Sequence, residues 1–148
     1  MPGLTAKQVD VLLATPVIAR LATVREDGAP YIVPVWQHWD GEAMYIIPRE
    51  RSRFVDDIRR QSRVAVSCAD DVDAGHARIL IEGDAEIVEG PAPMSGRFLE
   101  IAREMAFRYG GESGLAYLAG TINKPRYLLR VTPRKITTWA GGWHPRYG

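Results

Sequence analysis

Cysteine is almost absent from this chain: among 148 residues only Cys68 carries a thiol. A single thiol excludes an intrachain disulfide framework and any paired-cysteine metal site. Lysine is nearly as scarce. Lys7, Lys124 and Lys135 are the only ones, so arginine supplies most of the 19 basic residues. The histidines, His38, His76 and His144, share no metal-ligand spacing, which predicts no metal site. No apolar run approaches the ~20 residues that cross a bilayer, and the first residues show no charged-then-apolar leader. These absences predict a soluble, cytoplasmic protein without a membrane partner. A large net charge is missing too. Nineteen bases against 18 acids leave +1, so the chain as a whole is not drawn to nucleic acid and any anion site must be local.

What remains is ordinary globular composition, 46% hydrophobic and 25% charged, at a length that suits one domain over residues 1–148. Thr5 can cap a short helix with Val9, Leu12 and Leu13 on one face, which Pro16 ends. Val17–Val24 reads as a strand, and Asp27-Gly28 supplies hairpin chemistry. A second strand is expected over Tyr31–Trp39, with Pro34 marking a bulge or a missing ladder bond. Asp40-Gly41 makes another hairpin into a strand over Ala43–Ile47. Ser52 is expected to cap a helix over Arg53–Gln61, whose acids come first and whose bases come last, as the helix dipole prefers. Strands follow over Arg63–Ala69 and Ala77–Glu89, the latter bent at Gly83. After Gly90–Pro93 a helix is expected over Met94–Tyr109, closed by Gly110-Gly111, and then a short one over Ser113–Ala119. Arg126–Thr132 and Lys135–Trp139 read as two strands turning at Pro133-Arg134. Six or seven strands at hairpin spacing, with helices outside, predict a mainly β protein. An antiparallel six- to seven-stranded barrel fits this better than a doubly wound sheet.

The basic loop Pro48–Arg53 is the chain's most suggestive segment. Arg49, Arg51, Ser52 and Arg53 stand before a helix, where backbone N–H groups and arginine forks can hold a phosphate. The plainer reading is a serine-capped helix with solvated arginines. Trp36 and Trp143 are candidates to line a flat ring, and Trp39 and Trp139 fit core or interface equally well. His144 is either a substrate contact or part of a surface tail. Cys68, in an apolar strand, reads as an inert core thiol. No paired carboxylates, nucleophile triad or glycine-rich phosphate loop emerges, so no catalytic residue is assigned.

In order and spacing, several segments resemble the pyridoxamine 5′-phosphate oxidase-like family of flavin and deazaflavin split barrels. They are Leu21–Val24 with Asp27-Gly28, Pro34–Trp36, Arg51–Arg53, Ile58–Arg60 with Arg63-Val64, and Ile81–Ala85. The end, Trp139–Tyr147, is similar to that of a subgroup of uncharacterised members. The resemblance implies a homodimeric split barrel that binds FMN, or alternatively a deazaflavin coenzyme, at the subunit interface and acts as an oxidoreductase on a small-molecule substrate. It implies that Val33, Pro34, Val35 and Trp36 back the ring, with Ile47, Pro48 and Arg49 beside the ring and its side chain. Ser52 and Arg53 would be phosphate ligands, and Arg78 would lie near the cofactor. Trp139 and the tail residues Trp143, His144 and Arg146 would reach the neighbouring subunit's site. Many relatives place a phosphate-binding lysine directly after the Ser-Arg pair. This chain has Phe54 there, and Arg49 or Arg51 would have to substitute. That departure motivates an alternative: a non-catalytic protein that binds or stores flavin, deazaflavin or haem. The chain is short and shows no extra basic set for a second phosphate, which argues against pyridoxamine phosphate itself as substrate.

Overall fold

The computed structural model describes residues 3–71 and 76–140. Trp143, His144 and Arg146 lie outside the described residues. The elements in chain order are α1 (Ala6–Leu13), β1 (Ala19–Val24), β2 (Pro30–Val35), β3 (His38–Trp39), β4 (Met44–Ile46), α2 (Phe54–Arg60), β5 (Arg63–Ala69), β6 (Arg78–Ala92), α3 (Gly96–Gly120) and β7 (Arg126–Trp139). All seven strands form one antiparallel sheet, in the order β2-β1-β5-β6-β7-β4-β3.

That order fixes the shape. β2 and β3 are the two edges of the sheet, yet only Trp36 and Gln37 separate them in the chain. Three Cα–Cα steps span at most about 11 Å. The sheet must therefore curl until its edges meet, which gives a split barrel with a seam beside β2. Alternate residues of β1, β5 and β6 point inward, as the strand period of two requires. Leu21, Val66, Ile81 and Val131 are fully buried there, and burial of each such side chain contributes roughly 1.5–3 kcal/mol. A second apolar cluster joins Met94, Phe98, Ile101 and Met105 to Leu118 and Leu128, and so seats α3 on β7.

Four expectations need correction. The strand expected over Tyr31–Trp39 is two strands, because the chain changes from one sheet edge to the other at Trp36-Gln37. Pro34 sits on an edge strand, opposite Arg20, where a missing N–H is tolerated. Pro133-Arg134 is not a turn. β7 runs unbroken through it, and the register slips between Glu82↔Lys135 and Gly83↔Pro133. Gly83 is required at this bulge, since a Cβ there would strike the Thr132 carbonyl. Gly90–Pro93 does not break the strand, because β6 continues to Ala92, opposite Arg126. Ser52 does not cap α2. Arg53 is the cap residue, in helical conformation and without a side-chain bond, while the Ser52 carbonyl accepts from Val55 N at 3.2 Å.

The break expected at Gly110-Gly111 is present. Gly111 adopts φ 56° and divides α3 into two helical segments. A Cβ at Gly114 would run into the Ala106 carbonyl. Eight residues of straight helix would hold these positions about 12 Å apart, so the second segment folds back onto the first. Among the described residues no helix is long and apolar enough to cross a membrane.

Candidate functional site

The seam leaves a cavity of about 730 Å3. Its floor comes from both sides of the split: Val33, Pro34, Val35 and Trp36 from β2 and its exit, and Ile46, Ile47, Pro48 and Arg49 from β4 and its exit. Met94, Ala102, Met105 and Ala106 roof it from α3 and the segment before it, and Tyr117 and Leu118 close one side from the folded-back half. Trp36 lies parallel to Tyr109, with ring centroids 5.1 Å apart and planes 2° apart, which fixes the indole at the rim. The Tyr109 hydroxyl donates to the Val17 carbonyl at 2.5 Å and accepts from Gln37 N at 3.2 Å. Burial raises the pKa of that phenol.

The charged end of the cavity is built by strand pairing. β4 pairs with β7 from Met44↔Val131 to Ile46↔Leu129, and the same register runs on to a bridge between Arg49 and Arg126. Tyr127 N donates to the Pro48 carbonyl at 3.0 Å along this extension. Arg126 is only 6% exposed. Its guanidinium donates to the carbonyl and hydroxyl oxygens of Thr121, at 3.0 and 2.7 Å. Burial, reinforced by the neighbouring Arg49 charge, lowers its pKa from the usual arginine value. Arg49 lies over the Tyr117 ring at 5.7 Å. Neither arginine has a carboxylate partner among the described residues.

A second hollow adjoins the first. It is lined by Arg25, Asp27, Tyr31, Arg51, Ser52, Arg53, Phe54, Asp56, Asp57 and Arg60, among others. Arg25 stacks over Tyr31 at 4.4 Å, and Arg60 is bonded to Asp57 at 2.8 Å. Ser52 and Phe54 line both hollows.

The structure thus divides the residues singled out in the sequence. Val33, Pro34, Val35, Trp36, Ile47, Pro48, Arg49 and Ser52 come together in the seam cavity. Arg51 and Arg53 share the second hollow with Ser52. Arg78 and Trp139 face each other across β6 and β7, with the guanidinium 5.6 Å from the indole centroid, and they line neither hollow. Phe54, where the resemblance leads one to expect a lysine, is 7% exposed and belongs to the barrel core. Sequence reasoning missed Arg126, read only as the start of a strand, and Arg25, which stands just before the Asp27-Gly28 turn. Arg126 gains Arg49 through pairing across the sheet, and Arg25 reaches the second hollow because the β1–β2 turn comes to lie beside the start of α2.

Among the described residues no histidine, cysteine or carboxylate lines the seam cavity. Cys68 is buried in the core, and its pKa is pushed up to about 12 by burial, which leaves it protonated and inert. The cavity can therefore hold and orient a flat apolar group and an anion, but the lining supplies no evident nucleophile or general base.

The sequence model of the pyridoxamine 5′-phosphate oxidase family matches residues 5–140. No curated protein gives a significant match. Among solved structures, a conserved hypothetical protein from Mycobacterium tuberculosis aligns with a TM-score of 0.75 at 23% identity, covering 93% of this chain and 85% of that one. An F420 reductase aligns with a TM-score of 0.65 at 26% identity, covering 86% and 94%. The haem storage protein of Vibrio cholerae aligns with a TM-score of 0.67 at 17% identity, covering 93% and 95%. The family match spans the barrel, its seam and both hollows, and this chain belongs to the pyridoxamine 5′-phosphate oxidase family.

Proposed function

We propose that this protein is a homodimeric oxidoreductase that uses FMN, or the deazaflavin coenzyme F420 in its place, to act on a small molecule. One observation carries the reading. An apolar cavity large enough for a fused ring system opens beside a separate hollow rich in arginine, and Ser52 and Phe54 belong to both. A ligand with a flat ring at one end and a phosphate at the other matches that pair of environments. Val33, Val35, Ile47 and Pro48 would pack against the ring. Arg51, Ser52 and Arg53 would hold the phosphate through charge-assisted hydrogen bonds, with Arg25 compensating for the missing lysine. When bound, the cofactor supplies transfer of a hydride or an electron pair. The chain's own part is to orient the ring, keep water from one of its faces and neutralise the phosphate. The similarity to an F420 reductase at 26% identity supports keeping the deazaflavin in view. β2 is paired on one side only, and Ile32 on it is 63% exposed. A second copy covering this edge would complete the seam, which is the motive for a dimer.

Titration of the purified protein with FMN and with F420, each followed by absorbance, tests the reading. Saturable spectral change with at least one cofactor is expected. No response to either, in a correctly folded protein, would sink it. The second reading is a non-catalytic carrier, and the buried Phe54 is its motive. It requires binding without turnover when an electron donor is supplied. Haem is the less favoured cargo, because no histidine among the described residues lines the cavity to serve as an axial ligand.

A further inference from the structure

We infer that the Arg49–Arg126 end of the seam cavity is a second anion subsite, which takes the carboxylate or phosphate of a substrate whose apolar body lies against the cavity walls. The inference rests on the proposed function only in calling the occupant a substrate; the anion subsite itself follows from the packing. Directly opposed residues of an antiparallel pair extend to the same side of the sheet, and like charges there are destabilising. The unbroken register of β4 with β7 sets Arg49 opposite Arg126 in this way. Arg126 is 6% exposed, and its two hydrogen bonds to Thr121 bring it no countercharge. A guanidinium carries five N–H donors and a full positive charge. Those two bonds therefore leave donors and charge to spare. Apolar walls raise the strength of any interaction with an anion that enters. The arginines of the second hollow are different, since Asp27, Asp56 and Asp57 stand among them. A ligand that placed its phosphate with Arg51 and Arg53 would leave the Arg49–Arg126 end unmatched, so a second acidic group on another molecule completes the site.

Benzoate, phenyl phosphate and benzamide are probes of one shape that differ in charge. Calorimetric titration of each into the full-length protein tests the subsite. Benzoate or phenyl phosphate is expected to bind at least tenfold more tightly than neutral benzamide. Arg126→Gln should abolish that preference and Arg126→Lys should restore part of it. Because Arg126 also fastens Thr121, Arg49→Gln provides a parallel test at an exposed position, with a loss of about fivefold expected. Equal binding of benzoate and benzamide, or anion binding unchanged in both glutamine variants, would overturn the inference. FMN titration of the same variants separates the occupants. An FMN affinity within twofold of the wild type supports a substrate group at this end. A loss of FMN affinity equal to the loss of benzoate affinity would assign the arginine pair to the cofactor and overturn the substrate assignment. Failure of the wild type to bind any flavin would leave the benzoate result intact and count against the oxidoreductase reading alone.

Discussion

Two adjoining hollows share Ser52 and Phe54, yet they treat their arginines differently. In the second hollow the bases stand among acids. Arg60 bonds to Asp57, and Asp27 and Asp56 are near by, so the local field is divided. In the seam cavity Arg49 and Arg126 meet each other, Tyr117 and the oxygens of Thr121, with no carboxylate partner among the described residues. The difference teaches that counting basic residues in a loop is a poor guide to an anion site. What matters is whether a countercharge is already present and how much water screens it.

Four measurements would break or sharpen this contrast. The largest effect is expected at Gly114, whose missing Cβ lets the second half of α3 close the seam cavity with Tyr117 and Leu118. Gly114→Leu should lower stability by about 2–3 kcal/mol through overpacking. It should also weaken benzoate binding while sparing the second hollow, as read by denaturant melts and calorimetry. Next is Phe54→Lys, which places a cation between the two hollows. Removal of a buried ring from the core should cost about 2 kcal/mol, reduced from the full truncation value because the lysine stem still packs. FMN should bind about tenfold more tightly, by absorbance titration. Arg53→Ala, in the second hollow, should cost FMN about tenfold, the equivalent of one exposed charge-assisted hydrogen bond of ~1.5 kcal/mol. It should leave benzoate affinity within twofold of the wild type.

The smallest effect serves as a control outside both hollows. His38 is buried beside Glu104 and Arg108, with Nδ1 3.3 Å from a Glu104 carboxylate oxygen and 3.3 Å from Arg108 Nη2. Burial is the main cause of its lowered pKa, and Arg108 and Arg97 act in the same direction against Glu104. The folded state therefore binds this proton less readily than the unfolded chain does. The stabilisation is complete above the unfolded value of about 6.5 and is lost as pH falls through the lower folded value. Thermal melts between pH 7 and pH 5 should show a steeper loss in the wild type than in His38→Gln.

Much of the fold was legible. The alternation in Arg63–Ala69 and the turn chemistry at Asp27-Gly28 and Asp40-Gly41 each act over a few residues, and the structure agrees with them. The misreadings have a common physical source. Proline and glycine at 90–93 and 133 look like breakers, but next to a bulge or an edge a missing N–H or Cβ is tolerated by the sheet. The site was legible in part. The Arg49–Arg53 loop announces itself by composition, whereas its division into two environments depends on which neighbours each arginine meets.

The amino-acid sequence by itself determined the strands over β1 and β5, the glycine break in α3 and the clustering of arginine before α2, because propensity, periodicity and turn chemistry are local. Tertiary structure alone decided that β2 and β3 would become opposite edges of one curled sheet, that the seam would open into a cavity, and that Arg126 would come to lie beside Arg49. Those outcomes depend on pairing between residues 77 positions apart (126 − 49), and nothing within a short window of sequence encodes which distant strand supplies the partner.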